Sequence, residues 1–149
     1  MKEIMWLNKK EVKSLLDMKS TLRVVEDAFR QHGLKKVQMP PKIYLYFKKY
    51  NGDLRTMPGY LEEDNIAGVK IVNVHPDNPR IGLPTVMATI VLISPETGEP
   101  LAIMDGTYIT DMRTRSRRRY CGQISCAQEL ECDWFCWYWE SGKNSTPCD

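Results

Sequence analysis

Residues 56–113 constrain the fold more than any other stretch of this 149-residue chain. Three apolar runs, 66–74, 86–93 and 101–104, are separated by two segments built to end a strand. His75-Pro76-Asp77-Asn78-Pro79 carries two prolines and an asparagine, which force a turn. Ser94-Pro95-Glu96-Thr97-Gly98-Glu99 has the Pro and Gly of a hairpin connection, so 101–104 is the returning strand. Into this apolar sheet the sequence puts one lysine. Lys70 stands between Val69 and Ile71 and shares its strand face with Val72 and Val74. A lysine among valines belongs either to a sheet edge or to a site.

The preceding residues supply the rest of the domain. Asn8 followed by Glu11 reads as an N-cap with its capping-box partner, opening a short helix through Leu16. A second helix is predicted from about Ser20 to Lys35, where Leu22, Val25, Ala28, Phe29 and His32 recur at helical spacing. Met39-Pro40-Pro41 ends it. Residues 42–48 then alternate, with Ile43, Leu45 and Phe47 on one face and Tyr44 and Tyr46 on the other. Asn51-Gly52-Asp53 signals a hairpin turn and 54–61 returns from it. The expected fold is α+β: two N-terminal helices and a mostly antiparallel sheet of about five or six strands, closing near Thr110.

Composition matters where it is uneven. All five Cys and three of the four Trp fall in the last 29 residues, and the first 120 contain no Cys. Just before them, Arg113, Arg115, Arg117, Arg118 and Arg119 crowd into seven residues. Such a split suggests two origins for the two parts. Over the whole chain the net charge of +2 implies no polyanionic partner, and no nucleic-acid ligand is expected even with Tyr120 beside the arginine run. No apolar run reaches the roughly 20 residues of a membrane span, and the N-terminus lacks a signal-peptide core. The expected location is the cytoplasm, with no membrane partner. Cys121-x4-Cys126 and Cys132-x3-Cys136 match no common zinc spacing and have no nearby His, so no metal is expected. Of the two histidines, His32 reads as a helix-face residue and His75 as a structural part of its loop.

Six motifs carry a resemblance. They are M-P-P-K (39–42), D-L-R-T-M-P (53–58), G-V-K-I-V-N (68–73), H-P-x-N-P (75–79), G-L-P-T-V-M-A (82–88) and M-D-G-T-Y-I-T-x-M-R-T (104–114). In this order and spacing they resemble the ornithine cyclodeaminase/mu-crystallin family, which includes archaeal-type alanine dehydrogenases. The resemblance runs from about residue 5 and stops at Thr114. It implies that residues 1–114 are a substrate-binding and dimerisation domain, with an amino acid as substrate and a homodimer as the assembly. It also implies an NAD cofactor, which oxidises the substrate amine to an imine by hydride transfer before water or an internal amine attacks.

By the same resemblance Arg55 holds the substrate carboxylate, Lys42 and Lys70 stand beside it, and Lys70 also moves a proton. Thr85 and Arg113 are the positions that reach the dinucleotide. The chemistry suits these residue types. A guanidinium grips a carboxylate bidentately, and a lysine desolvated among valines has a lowered pKa. Taken from the residues alone, other readings stand. Arg55 and Lys70 fit a solvated strand face, Thr85 a plain β-branched strand former, and Arg113 a member of the basic run.

Family members continue after M-R-T with a Gly/Ala-rich helix, a strand and the G-x-G-x-x-G turn of a Rossmann domain. Here Thr114 is followed by R-S-R-R-R-Y-C-G-Q-I-S-C. Residues 115–126 admit codons that, read one base later, spell G-A-A-G-G-I-A-A-K-Y-L. Residues 133–143 admit codons that spell T-G-F-V-G-T-G-K-A-G-K in the same frame, with a dinucleotide fingerprint inside it. Residues 115–149 are therefore expected to be an out-of-frame, disordered tail, and the Rossmann domain to be missing. On this reading the chain is an inactive part of an amino-acid-oxidising enzyme. The alternative is a non-catalytic small-ligand module of the mu-crystallin type.

Overall fold

The computed structural model describes residues 3–123, with side chains through Ser116. Its elements are β1 (Met5–Leu7), α1 (Lys9–Leu15), α2 (Met18–Gly33), β2 (Val37–Gln38), β3 (Ile43–Phe47), β4 (Gly52–Leu61), β5 (Ile66–Val74), β6 (Val86–Ile93), β7 (Pro100–Asp105) and α3 (Gly106–Gln123). The seven strands form one sheet in the order β1-β7-β6-β5-β4-β2, with β3 also pairing β4. Every pairing is antiparallel except β1 with β7. This is the expected α+β architecture, with one more helix and more strands than its local patterns announce.

The local signals explain most of it. Asn8 accepts from the Lys10 and Glu11 N–H groups while the Glu11 carboxylate accepts from the Asn8 N–H at 2.7 Å, a closed capping box. Asp17 caps α2 by accepting from the Ser20 N–H at 2.9 Å. Between β6 and β7, Gly98 takes a φ of +74°, where a side chain would be strained. The Ser94 N–H meets the Glu99 carbonyl there at 2.9 Å. In the loop after β5 a short 3-10 turn (Asn78–Ile81) follows Pro76 and holds Pro79 in its first positions, and the Asn78 side chain donates to the Pro84 carbonyl at 3.0 Å.

The helices lie on one face of the sheet. Val72, Ala88 and Ala102 share that face and are buried beneath them, with Val12 of α1 and Met112 of α3 completing the core. Small residues let α3 approach closely. A Cβ on Gly106 would come within 3.1 Å of the Ala88 Cβ and 3.0 Å of Ile90. The opposite face carries Val69, Ile71, Val91 and Ile103, and none of the described helices covers it; Trp6, Ile43, Leu45 and Leu101 on the same side are 68%, 63%, 56% and 49% exposed.

α3 spans the point where the motif resemblance stops. A boundary at 114 falls inside this helix, which runs on to Gln123. Ser116, two residues past the expected break, is wholly buried and donates to the Met112 carbonyl at 2.9 Å. Its hydroxyl also lies 3.4 Å from the Met18 sulfur of α2. Thr107, Ile109, Thr110 and Thr114 are poor helix formers. The helix starts because Asp105 accepts from the Thr107 and Tyr108 N–H groups, and it persists because it packs on α2 and β6. The remaining tail, 124–149, and with it most of the expected disordered segment, lies outside the described residues.

Candidate functional site

Strand parity brings the cationic residues together. On β4, Arg55 and Met57 point to the helix-covered face; β5 sets Lys70 opposite Met57 and Val72 opposite Arg55. β6 sets Ile90 opposite Lys70 on its other side. Lys70 is thus in an interior strand, flanked by paired neighbours, and the sheet-edge alternative for it falls away. Lys42 enters from the loop that leads into β3, and Arg113 descends from α3, seven residues after the glycine that rests on Ala88 and Ile90.

These four side chains feel one another. Burial, first, and then the Arg113 and Lys42 charges lower the Lys70 ammonium to about 8. Lys42 is lowered too, chiefly by burial and then by Arg55 and Arg113. Lys42, Arg55, Lys70 and Arg113 are each half-buried, with Lys42 coupled to Arg55, Lys70 and Arg113. A concentration of positive charge over a low-dielectric sheet attracts a small anion, and a lysine near 8 both gives and takes a proton close to neutral pH.

Arg55 has partners that the sequence reading passed over. Its Nε donates to Asp53 Oδ1 at 2.6 Å and its Nη2 to Asp53 Oδ2 at 2.8 Å. The Tyr44 ring lies 5.3 Å from its Cζ, and Tyr44 stacks on Tyr46 with centroids 5.9 Å apart. The Asp53 hydrogen bonds raise the Arg55 pKa further, so the guanidinium is charged at every accessible pH. Asp53-x-Arg55 at strand spacing was the available signal. It was hidden because Asn51-Gly52-Asp53 looks like a turn, whereas β4 already begins at Gly52 and the reversal is made by a 3-10 turn over Lys48–Tyr50 with Asn51 left-handed.

Thr85 is placed by a different contact. Its carbonyl accepts the His75 N–H at 2.8 Å, which holds it just ahead of β6. His75 itself stacks on Phe47 with centroids 6.0 Å apart, as befits a structural loop residue. Among the described residues no group of three or more His, Cys, Asp or Glu could hold a metal ion, and no helix is long and apolar enough to cross a membrane.

A dinucleotide needs a cradle for its pyrophosphate, usually an open helix N-terminus. The N-termini of α1, α2 and α3 are each closed by the chain's own side chain: Asn8, Asp17 and Asp105. Two of these caps are carboxylates, which repel phosphate. These described helix N-termini do not fit the pyrophosphate of a dinucleotide.

Known proteins match this chain in part. An alanine dehydrogenase from Archaeoglobus fulgidus is 55% identical over 112 residues, covering 75% of this chain and 34% of that protein. The structure of an archaeal alanine dehydrogenase dimer with bound NAD superposes with a TM-score of 0.72 at 53% identity, covering 76% of this chain and 34% of that one. Thermococcus litoralis Δ1-pyrroline-2-carboxylate reductase, solved with NADH and L-proline, gives a TM-score of 0.75 at 39% identity over 76% of this chain and 35% of that one. The chain thus spans about a third of the length of the relatives it matches. With that family's sequence model matching residues 2–117, the chain belongs to the ornithine cyclodeaminase/mu-crystallin family.

Proposed function

We propose that the Lys42, Arg55, Lys70 and Arg113 cluster binds the carboxylate of an amino acid, and that Lys70 exchanges the proton released as the substrate amine becomes an imine. The observation that carries this is a lysine lowered to about 8 in an interior strand, beside the Arg113 and Lys42 charges, with Arg55 next to Lys42 in turn. Arg55 anchors the carboxylate by its planar fork, Lys42 adds charge beside it, and Lys70 binds and transfers the proton at Nζ. The dinucleotide, when bound, supplies the hydride acceptor, with Thr85 and Arg113 as this chain's contacts to it. The reaction belongs to an amino-acid dehydrogenase or cyclodeaminase; the relatives named alanine dehydrogenase and the complex with L-proline support an amino-acid ligand.

The closed helix N-termini favour a second reading for this chain by itself: a small-ligand-binding module of mu-crystallin type, without turnover. We also propose that residues 1–114 form the in-frame domain, that residues 115–149 are translated out of frame, and that two copies associate through the sheet face that the described helices leave uncovered. The relative seen as a dimer supports that association. Resequencing the gene across codons 114–143 tests the frame. Turnover is tested in the frame-restored protein: Lys70→Met should lower kcat at least ~100-fold, and Arg55→Met should act mainly on KM. Near-normal kcat for Lys70→Met at saturating substrate would make Lys70 a structural residue.

A further inference from the structure

We propose that Asp53, seconded by Tyr44, is the positioning residue that aims Arg55, so that a ligand carboxylate meets only the guanidinium edge that Asp53 leaves open. The inference rests on the cluster being a carboxylate site. A guanidinium carries five N–H donors in a fixed plane. Asp53 takes the Nε–H and one Nη2–H, at 2.6 and 2.8 Å, as a side-on bidentate pair. Three donors remain, two on Nη1 and one on Nη2, and two of these form a second parallel fork at the end of the side chain. A second carboxylate fits there without displacing the first.

The grip is built from strand geometry. Asp53 and Arg55 are two residues apart on β4 and so share a face. β3 presents Tyr44 directly opposite Arg55 and Tyr46 directly opposite Asp53. The guanidinium is therefore held on one edge by Asp53 and on one face by the Tyr44 ring, itself stacked on Tyr46. The side chains of Arg55 and Asp53 are only 29% and 16% exposed. A long side chain pre-set in this way loses little rotamer freedom when the ligand arrives. The opposing effect is competition, in which an acidic neighbour takes the arginine from the ligand. Geometry decides against it, because the Asp53 carboxylate is tied to the Nε edge and leaves both Nη1 N–H groups and the second Nη2 N–H to the ligand.

The test uses the full 149-residue chain, with L-alanine and L-alaninamide titrated in parallel by NMR. The wild type should bind alanine and favour it at least tenfold over the amide. Arg55→Met should abolish that preference. Asp53→Asn should weaken alanine binding about three- to tenfold, shrink the preference over the amide, and lose the sharp Arg55 Nε–H resonance, with the fold unchanged by circular dichroism. If Asp53→Asn does not fold, Tyr44→Leu probes the same grip from the ring face, and its alanine affinity should fall about threefold. Unchanged or tighter alanine binding in the folded variant, with Arg55→Met still deficient, overturns the positioning role and leaves the carboxylate site standing. A wild type that shows no preference for alanine over the amide overturns both.

Discussion

Lys70 couples stability and function in opposite directions. Its pKa is lowered from the ordinary 10.5 to about 8 on folding. Between those values the unfolded chain binds more protons than the folded one, so stability rises with pH there. Below about 8 both states are protonated and the full penalty of the buried charge applies. At 1.36 kcal/mol per pH unit the shift corresponds to roughly 3 kcal/mol, and partial solvation of the side chain reduces this to about 1–2 kcal/mol. Lys70→Met is therefore expected to stabilise the protein by about 1–2 kcal/mol at pH 7, with the gain gone by pH 10.5; urea melts at both pH values check it. Ligand binding should follow the same group. Pyruvate, which does not titrate in this range, is expected to lose affinity as pH rises through about 8, and Lys70→Met should flatten that dependence. A titration at pH 7 and pH 9.5 decides it.

At the scale of elements, the sheet interior leaves no space and α3 leaves no slack. A Cβ on Gly68 would sit 2.5 Å from the Val91 carbonyl oxygen, a backbone atom fixed by the β5–β6 ladder. Gly68→Ala is expected to cost about 1–3 kcal/mol, read as a lower midpoint in urea, and to disturb Lys70 two residues on. Ser116 tests whether the last part of α3 is packed in solution. Its hydroxyl is enclosed between Met112 and Met18, so Ser116→Ala should cost about 1 kcal/mol and Ser116→Asp at least ~3 kcal/mol, because an unpaired carboxylate would be buried. Equal melting temperatures for wild type and Ser116→Asp would show that α3 is not seated there.

At the scale of the whole fold, the described helices cover one sheet face and leave the other bare. Apolar side chains on an open sheet face drive association. Two copies meeting through it would bury Trp6, Ile43, Leu45 and Leu101. Light scattering is expected to show a dimer, and the double variant Leu45→Glu, Leu101→Glu should be monomeric with unchanged circular dichroism. Dinucleotide binding is the second test at this scale. With Asn8, Asp17 and Asp105 closing the N-termini of the three described α-helices, the 149-residue chain should bind NADH no more tightly than millimolar. Micromolar binding by calorimetry would refute this.

What the sequence determined alone is local: strands by alternation and apolar runs, turns by Pro, Gly and Asn, helix starts by caps. Asn8 with Glu11, residues 66–74 and the Ser94–Glu99 connection were legible because each is fixed by neighbours a few residues away. The family motifs also single out Arg55, Lys70 and Arg113. What only the tertiary structure decided is pairing between distant residues. β1 is three residues long and exists because it lies parallel to β7, about 97 residues later. α3 forms from indifferent helix formers because Asp105 caps it and β6 and α2 receive it. Lys70 is in the sheet interior because β4 and β6 flank β5, an order that no single strand encodes. Its lowered pKa follows from that placement, since desolvation is set by whatever the rest of the fold stacks above the lysine.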